Sequence, residues 1–147
     1  MGEYRIDRVG FEEEPGIRAV RETVFMAEQG VPEELEWDGL DHEAVHVVAR
    51  DHSGGVIGTG RLLASGQIGR MAVLPEWRGR GVGTALLRCL LDEARRRGLQ
   101  RVFLHAQTRA LPFYVRHGFT PEGGVFLDAG IPHQAMTYRL DADEAQK

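Results

Sequence analysis

The chain has 147 residues, the size of one domain, with 42% hydrophobic residues and a formal net charge of −4 at pH 7. The mild negative charge argues against nucleic acid as the main partner. The single cysteine, Cys89, excludes an intrachain disulfide, as expected in a reducing cytoplasm. No apolar run reaches the roughly 18 residues of a membrane span, the first residues lack a signal peptide's apolar core, and no metal-ligand spacing occurs. The sequence therefore predicts one cytoplasmic domain over residues 1–147, without a metal or a membrane partner.

Hydrophobic patterns in the first half predict strands around one helix. The alternation in residues 1–8 predicts a first strand, and the segment from Pro15 to Gly30 begins and ends as helices do. Residues 31–43 predict a loop or an irregular helix. The strands AVHVVAR and VIGTGRLLA follow, and the turn-rich DHSGG between them predicts a hairpin.

The second half contains the clearest helix. IGRMAVL predicts a strand that Pro75 ends, and apolar residues at helical spacing predict a helix over 82–97 with Gly98 at its end. RVFLHAQ predicts a strand, RALPFYVRHGF a short helix beginning near Pro112, and GVFLDAG and QAMTYRL two last strands. Residues 141–147 predict a frayed tail. This order predicts a mixed α/β domain with a central, mostly antiparallel sheet and flanking helices.

The stretch RGRGVG, residues 78–83, stands directly before the long helix. A helix N-terminus offers free N–H groups and partial positive charge, which together bind phosphate, and glycines let the backbone approach the anion. Arg78 and Arg80 could add charge-assisted hydrogen bonds. A P-loop is excluded because no lysine precedes Thr84, and a dinucleotide fingerprint because the third glycine is missing. A glycine-rich turn without a ligand is the alternative.

GRMAVLPEWRGRGVGTALLRCLLDEARRRG resembles the core motif of the GCN5-related N-acetyltransferases (GNAT). In that motif, Arg or Gln is followed after two residues by Gly and, one residue later, by Gly or Ala; Arg78, Gly81 and Gly83 match it. ALPFYVRHGF resembles the family's short helix with a tyrosine, followed by Gly-Phe. The resemblance covers about residues 47–126. VFMAEQGVPEELEWDGLD, LHAQ and AGIPHQAM are similar to a bacterial subgroup of small, mostly uncharacterised acetyltransferases.

This resemblance implies a site for acetyl-CoA between two splayed parallel strands, IGRMAVL and RVFLHAQ. The pantetheine arm would pair with the backbone of the first strand, and the pyrophosphate would lie on the N–H groups of the glycine-rich stretch. Gln107 stands where many relatives carry an asparagine. The implied cofactor-binding residues are Met71, Ala72, Val73, Arg78, Gly79, Arg80, Gly81, Val82, Gly83, Thr84, Gln107 and Phe113.

The resemblance also implies that the protein is an N-acetyltransferase, acting by direct attack of a primary amine in a ternary complex. Tyr114 is the predicted general acid for the leaving thiolate, and the Val73 N–H the predicted oxyanion donor. Glu28 and His133 are alternative general bases, imidazole being the side chain that ordinarily titrates near neutrality. The alternative function is an acyl-CoA-binding sensor without turnover.

The acceptor would be a small-molecule or peptide amine. Residues 22–43 contain eight carboxylates and no Lys or Arg, which predicts either a solvated acidic loop or a funnel for a cationic amine. Trp37 in this segment could contact the acceptor or cover the core. His105 is predicted to be packed and hydrogen-bonded, and Cys89 to be a core residue. Exposed strand edges near the C-terminus could pair two copies into a homodimer.

Overall fold

Two antiparallel sheets form the framework in a computed structural model that describes residues 3–140. The first sheet contains, in spatial order, β1 (Tyr4–Val9), β2 (Val45–Asp51), β3 (Val56–Leu62) and β4 (Ile68–Val73). The second contains, in spatial order, β5 (Arg101–Gln107), β7 (Ile131–Arg139) and β6 (Thr120–Asp128). The predicted mixed α/β fold is confirmed, and the predicted frayed tail lies outside the described residues.

Helical segments connect the strands. The four α-helices of the described chain are α1 (Pro15–Arg21), α2 (Glu33–Glu36), α3 (Val82–Arg96) and α4 (Leu111–Arg116). Short 3₁₀ turns lie at Asp41–Glu43, Pro75–Trp77 and Thr108–Ala110. Within residues 3–140, no helix is long and apolar enough to cross a bilayer.

The helix predicted over residues 15–30 is present, but only its first half is α-helical. From Glu22 to Glu28 the chain continues as a π-helix, and the Gln29 N–H donates to the Val24 carbonyl at 3.2 Å. Long π-helical turns are rare and often lie at functional sites. The apolar spacing does not distinguish the two helix types, so the sequence could not predict this change.

Helix α3 carries the main core. Its face with Val82, Leu86, Leu90 and Ala94 is buried and packs in one cluster with residues of both sheets. Full burial of a leucine side chain contributes roughly 1.5–3 kcal/mol to the free energy of unfolding. Because this face contacts both sheets, its burial holds the two sheets together. Gly98 follows the helix with a φ of 77°, as expected of a C-terminal glycine.

Strands β4 and β5 lie side by side but diverge. The Phe103 N–H donates to the Gly66 carbonyl at 3.1 Å, and Gln67 forms a parallel bridge with Phe103. No further bridge joins the two strands in the described chain. The β3–β4 register shifts between Thr59 and Arg61, where Arg70 bulges with a φ of 49°. The predicted splayed parallel pair is therefore confirmed.

The C-terminal hairpin differs from the predicted strands in its bounds. Strand β6 begins at Thr120 and β7 at Ile131, whereas the pattern predicted strands over 124–130 and 134–140. Ala129 and Gly130, with φ of 54° and 76°, form the turn, and a two-residue type I′ turn requires positive φ at both positions. Every residue of β6 is exposed, and its outer edge is open in the described chain. Pairing of two copies at this edge stays a prediction.

Candidate active site

A cavity of about 650 Å³ occupies the opening between β4 and β5. The π-helical segment, the end of β4, the start of α3, helix α4 and the tip of the β6–β7 hairpin form its walls. Its volume lies in the range of small-molecule and cofactor sites. The splay of the two strands therefore creates this cavity.

The edge of β4 offers backbone groups to this cavity. The Leu74 N–H donates to the Ile57 carbonyl of β3 at 2.9 Å. Successive residues of an antiparallel strand direct their N–H and C=O groups to opposite sides, so those of Val73 point into the opening. Met71, Ala72 and Val73 all line the cavity, as the resemblance implies. An extended ligand with amide groups could pair with this edge.

The loop before α3 forms a cradle for an anion. Gly79 and Gly81 have φ of 78° and 86°, and Gly81 is the N-cap, where no side chain caps the helix. The first N–H groups of α3 therefore have no intrahelical acceptor and are available to a phosphate. A Cβ added at Gly83 would lie 3.5 Å from Phe113, which also lines the cavity. These backbone groups could hold an anion such as a diphosphate.

The two arginine side chains of the loop are engaged elsewhere. The Arg78 Nε donates to the Val73 carbonyl at 2.9 Å, and its two Nη atoms donate to the Glu28 carboxylate at 2.8 and 2.7 Å. Arg80 pairs with Glu3 at 3.0 Å. The phosphate contacts expected from these guanidinium groups are therefore not pre-formed, and the anion site consists mainly of backbone N–H groups.

Tyr114 presents an unpaired phenol to the cavity. The residue is half-buried on α4, with its ring 5.0 Å from Phe113 and 5.7 Å from Phe119 between centroids. Within residues 3–140, its hydroxyl has no hydrogen-bond partner. Burial raises the pKa of Tyr114 to about 12. The phenol is therefore protonated at neutral pH and available as a donor.

The two alternative bases both line the cavity but differ in their surroundings. Hydrogen bonds from Arg78 lower the pKa of Glu28, which is therefore an ionised but weak base. The His133 Nδ1 lies 2.7 Å from the Ile131 carbonyl oxygen. Because a carbonyl can only accept, Nδ1 carries the hydrogen and Nε2 holds the free lone pair in the neutral imidazole.

His105 differs from its prediction. It is exposed, lines the cavity and forms no hydrogen bond in the described chain; its ring lies 5.3 Å from Phe126. The expectation of a packed, hydrogen-bonded histidine is wrong because the splay leaves this face of β5 uncovered. Gln107, on the same face, donates to Gln29 at 2.7 Å and accepts from Arg109 at 3.1 Å.

Residues of the cavity wall that sequence reasoning missed include Gln29, Arg70, Asp128 and Ala129. Arg70 and Ala129 are the two non-glycine residues with positive φ in the described chain. Such strained conformations concentrate at functional sites. The Ala-Gly pair between two strand patterns was a signal for the tight turn, but nothing in the sequence indicated the bulge at Arg70.

Half of the carboxylates in the acidic segment pair with arginines that lie outside it. Arg21, only 1% exposed, donates to Glu36 and to Asp41 at 2.7 Å each, and Arg61 pairs with Asp38 and Asp41. With Glu28 on Arg78, four of the eight carboxylates contact arginines from outside the segment. These four add little net negative charge to the cavity entrance, in contrast to the funnel hypothesis.

Two other residues are placed in the core. Trp37 packs with Phe11, Ile17 and Val48, and the Arg21 guanidinium lies 4.7 Å from its ring centre. Trp37 therefore covers the core and does not line the cavity. Cys89 is half-buried against the main core, and burial raises the pKa of its thiol. It is accordingly a packed thiol rather than a nucleophile.

A splayed β4–β5 pair with an open backbone edge, an anion cradle and a protonated tyrosine is the architecture of an acyl-CoA-binding transferase. Residues 10–140 match the family model described as "Acetyltransferase (GNAT) domain". The chain therefore belongs to the GNAT family of acetyltransferases. Membership in this family makes it an acyl-CoA-dependent N-acyltransferase.

Individual relatives agree with this assignment. The chain is 42% identical over 121 residues to the uncharacterized N-acetyltransferase YjcF of Bacillus subtilis, covering 80% of this chain and 86% of that protein. An acyl-CoA N-acyltransferase from Pseudomonas aeruginosa superposes with a TM-score of 0.79 at 30% identity, covering 92% and 98% of the two chains. Escherichia coli ElaA superposes with a TM-score of 0.80 at 25% identity, covering 94% and 99%.

Proposed function

We propose that this enzyme transfers an acetyl group from acetyl-CoA to a primary amine by direct attack within a ternary complex. The observation that carries the proposal is the opening between β4 and β5. The Val73 N–H on the β4 edge, a phosphate cradle and an unpaired phenol border this one opening. These are the groups needed to bind the pantetheine arm and the diphosphate and to assist the leaving thiolate.

The chemistry assigns one task to each group. The amine nitrogen forms a bond to the thioester carbon while the carbonyl oxygen becomes an oxyanion, and the Val73 N–H donates to that oxygen. The carbon–sulfur bond then breaks, and the Tyr114 hydroxyl donates to the departing sulfur. General acid assistance of this kind typically contributes about 10²–10⁴-fold in rate.

The Tyr114 phenol is a weak acid, and this determines how it assists the departure of the thiolate. Its pKa of about 12 exceeds the value of about 8.5 that is ordinary for a cysteine thiol. Desolvation shifts both groups in the same direction, because it disfavours phenolate and thiolate alike. Tyr114 therefore assists by a hydrogen bond that stabilises the departing thiolate, and it keeps its own proton.

His133 is the better of the two bases. An alkyl ammonium has a pKa near 10.4 and must lose a proton before it attacks. The Nε2 of His133 has a free lone pair fixed by the Nδ1 contact with Ile131, whereas the Glu28 oxygens already accept from Arg78. Glu28 would instead hold Arg78 in place, since both of its oxygens accept from that guanidinium. We expect His133→Asn to lower kcat by about 10²-fold and Glu28→Gln by less.

The acceptor is a small-molecule or peptide amine, and its charge can be tested. Glu33 and Glu34 are exposed, have no ion-pair partner in the described chain and directly precede Leu35 and Glu36 of the cavity wall, so they could attract a cation. If the acceptor is cationic, its KM rises with salt and with the Glu33→Gln/Glu34→Gln double substitution. An unchanged KM in both tests would reject the hypothesis that these carboxylates attract a cationic acceptor.

The first experiment is a thermal shift with acetyl-CoA, CoA, NAD and ATP in parallel. A ligand at 100 times its Kd stabilises by about 2.7 kcal/mol, roughly 5–10 °C here. Shifts with the two CoA species alone are expected; larger shifts with NAD or ATP contradict the proposal. An amine panel is then screened by thiol release, for which half-buried Cys89 adds little background.

Tyr114→Phe separates binding from turnover. We expect unchanged acetyl-CoA affinity and a turnover at least tenfold lower, since only the donor is removed. Unchanged turnover would remove the acid role. Binding of acetyl-CoA with no turnover of any amine in the panel would indicate a sensor module in place of an enzyme.

A further inference from the structure

Most charged side chains of the cavity wall neutralise one another. Glu28 accepts two hydrogen bonds from Arg78, and Glu36 pairs with Arg70 at 3.4 Å and with the buried arginine of α1. The guanidinium and the carboxylate of the wall that form no ion pair within residues 3–140 are Arg109 and Asp128. These two opposite charges are therefore free to bind a ligand.

Arg109 lines the cavity with most of its hydrogen-bonding capacity unused. The residue is exposed in the 3₁₀ turn that follows β5, and its Nε donates to the Gln107 Oε1 at 3.1 Å. Its two Nη atoms form no hydrogen bond in the part of the chain that the structure describes. A planar guanidinium binds a carboxylate through two parallel hydrogen bonds, so these free Nη groups suit a carboxylate.

Asp128 stands at the end of β6, directly before the tight turn of Ala129 and Gly130. It is exposed, and its carboxylate has neither a hydrogen bond nor an ion pair among residues 3–140. Ala129 also lines the cavity and holds a φ of 54°, a conformation that is uncommon outside glycine and concentrates at functional sites. The turn thus fixes a free carboxylate at the cavity, where it can hold an ammonium group.

The two free charges lie on opposite sides of β7. Strands β5 and β6 both pair with β7, so two strand spacings, about 10 Å, separate their backbones. Asp128 pairs with Ile131, which makes it a diagonal neighbour of His133 on one face of the sheet, about 7–8 Å away. His133 in turn pairs with Gln107, two residues before Arg109. Because both charged side chains line one cavity, a small molecule beside His133 can contact both.

The numbers of free charges decide between classes of acceptor. A diamine would need a second free carboxylate, and a dicarboxylate would need a second free guanidinium; the wall of the described chain offers one of each. A zwitterion matches this pair. Apolar side chains complete the wall, among them Val24, Phe25, Met71 and Leu104.

We propose that the acceptor is a free amino acid with an apolar side chain, whose carboxylate Arg109 binds and whose α-ammonium group Asp128 holds beside His133. This inference rests on the proposed function, because it names the acceptor of that acetyl transfer. A peptide N-terminus and a protein lysine have no carboxylate next to the amine, so they would leave Arg109 unpaired. The site therefore selects free amino acids over peptides.

The reaction follows from this placement. The α-ammonium group gives one proton to the His133 Nε2, and its nitrogen then bonds to the thioester carbon while the carbon–sulfur bond breaks. The second proton of the nitrogen passes through solvent to the thiolate. The products are the N-acetyl amino acid, CoA and the proton that His133 returns to solvent. The product nitrogen is neutral, so Asp128 no longer holds it and release is favoured.

The test compares leucine, leucinamide and isopentylamine as acceptors at saturating acetyl-CoA, by thiol release. The three share the amine and the apolar side chain, but only leucine has a carboxylate. We expect kcat/KM for leucine to be about tenfold or more above the other two values. Arg109→Gln should reduce this preference about tenfold. Any effect of Arg109 on acetyl-CoA cancels, because all three acceptors meet the same donor.

Asp128→Asn should act differently, since all three acceptors carry the ammonium group. We expect it to lower kcat/KM about tenfold for each of them and to keep the preference for leucine. The matched controls are Arg101→Gln at the other end of β5 and Glu122→Gln at the other end of β6. Both residues are exposed and do not line the cavity, so both variants should behave as wild type.

The outcomes separate the two possible failures. If kcat/KM for leucine equals or falls below that of the two other amines, or if only peptides or protein lysines are acetylated, the acceptor assignment is overturned and the proposed function stands. Loss of the preference in Arg101→Gln as much as in Arg109→Gln also overturns the assignment. Absence of turnover with every amine, with or without a carboxylate, overturns the proposed function itself.

Discussion

Replacement of Arg21 by methionine would leave two buried carboxylates without their main partner. The guanidinium donates through Nε to Glu36 and through Nη1 to Asp41, both at 2.7 Å, and through Nη2 to the Glu36 carbonyl at 3.1 Å. Glu36 and Asp41 are 2% and 4% exposed, so water cannot replace these hydrogen bonds. Arg61 and Arg70 contact the same carboxylates but already serve Asp38 as well.

The expected cost follows from this burial. Removing one partner of a buried ion pair typically costs about 3–5 kcal/mol, a fifth or more of the roughly 5–15 kcal/mol that stabilises an ordinary domain. For a chain of this length, 1 kcal/mol corresponds to about 2–4 °C in Tm, so Arg21→Met should lower Tm by roughly 6–20 °C. Because methionine fills a volume similar to that of arginine, the loss of stability should come from the lost ion pairs and not from a new cavity.

Arg18→Met is the matched control on the same helix. Arg18 is exposed, and its guanidinium lies over the rings of Phe11 and Trp37 at 4.7 and 5.0 Å. An exposed cation–π contact contributes about 0.5–1 kcal/mol, so its loss should lower Tm by less than about 4 °C. Thermal and urea unfolding of both variants measure the difference. Equal losses would refute the reasoning, because burial would then not determine the cost.

Three further predictions concern acid stability, an exposed ion pair and a strained glycine. Although burial opposes it, hydrogen bonding to Arg61 lowers the pKa of Asp38 to about 2. Because this pKa is below the unfolded-state value, Asp38 stabilises the fold above pH 4 and loses this effect as the pH falls towards 2. In Asp38→Asn, the free energy of unfolding measured with urea should therefore depend less steeply on pH over that range. An unchanged pH dependence would contradict this prediction. Arg78→Gln should raise the pKa of the Glu28 carboxyl but cost less than 1 kcal/mol of stability, since the pair is exposed; a fall in Tm above about 5 °C would be too large. Gly118→Ala should destabilise far more than Gly98→Ala, because the new Cβ would lie 2.8 Å from Tyr138 at the first position and meets nothing within 4 Å at the second; similar Tm values would contradict this.

The fold was largely predictable because its elements have strong local signals. Helix α3 repeats apolar residues at helical spacing and ends at Gly98, and β5 was predicted with its observed bounds, 101–107. The predicted strand boundaries were wrong in the C-terminal hairpin. Strand β6 is exposed on both faces, so its sequence has no alternation of apolar and polar residues from which its ends could be predicted. The π-helical turns after Arg21 are also invisible to a pattern of apolar spacing.

The part of the site that backbone N–H groups form was predictable from the sequence. The parts that depend on contacts between side chains distant in sequence were less predictable. Glycines before a helix indicate an anion cradle from local sequence alone. The partners of the acidic segment come from Arg21, Arg61 and Arg70, which are distant in sequence from most of their carboxylates, so a charge count could not show that they pair. The free nitrogen of His133 depends on its hydrogen bond to Ile131, a contact that requires coordinates.

The splay of β4 from β5 also affects how the protein associates with other copies of itself. Open strand edges usually lie at the margins of a sheet, where they are sites of unwanted association between chains. Here one such edge lines the internal opening: the Val73 N–H points into it, and the Val73 carbonyl already accepts from the Arg78 Nε at 2.9 Å. A bound ligand with amide groups would occupy this edge as an added strand does. We therefore expect an extended ligand, but not a second chain, to pair with this edge, so that addition of coenzyme A leaves the self-association of the concentrated protein unchanged.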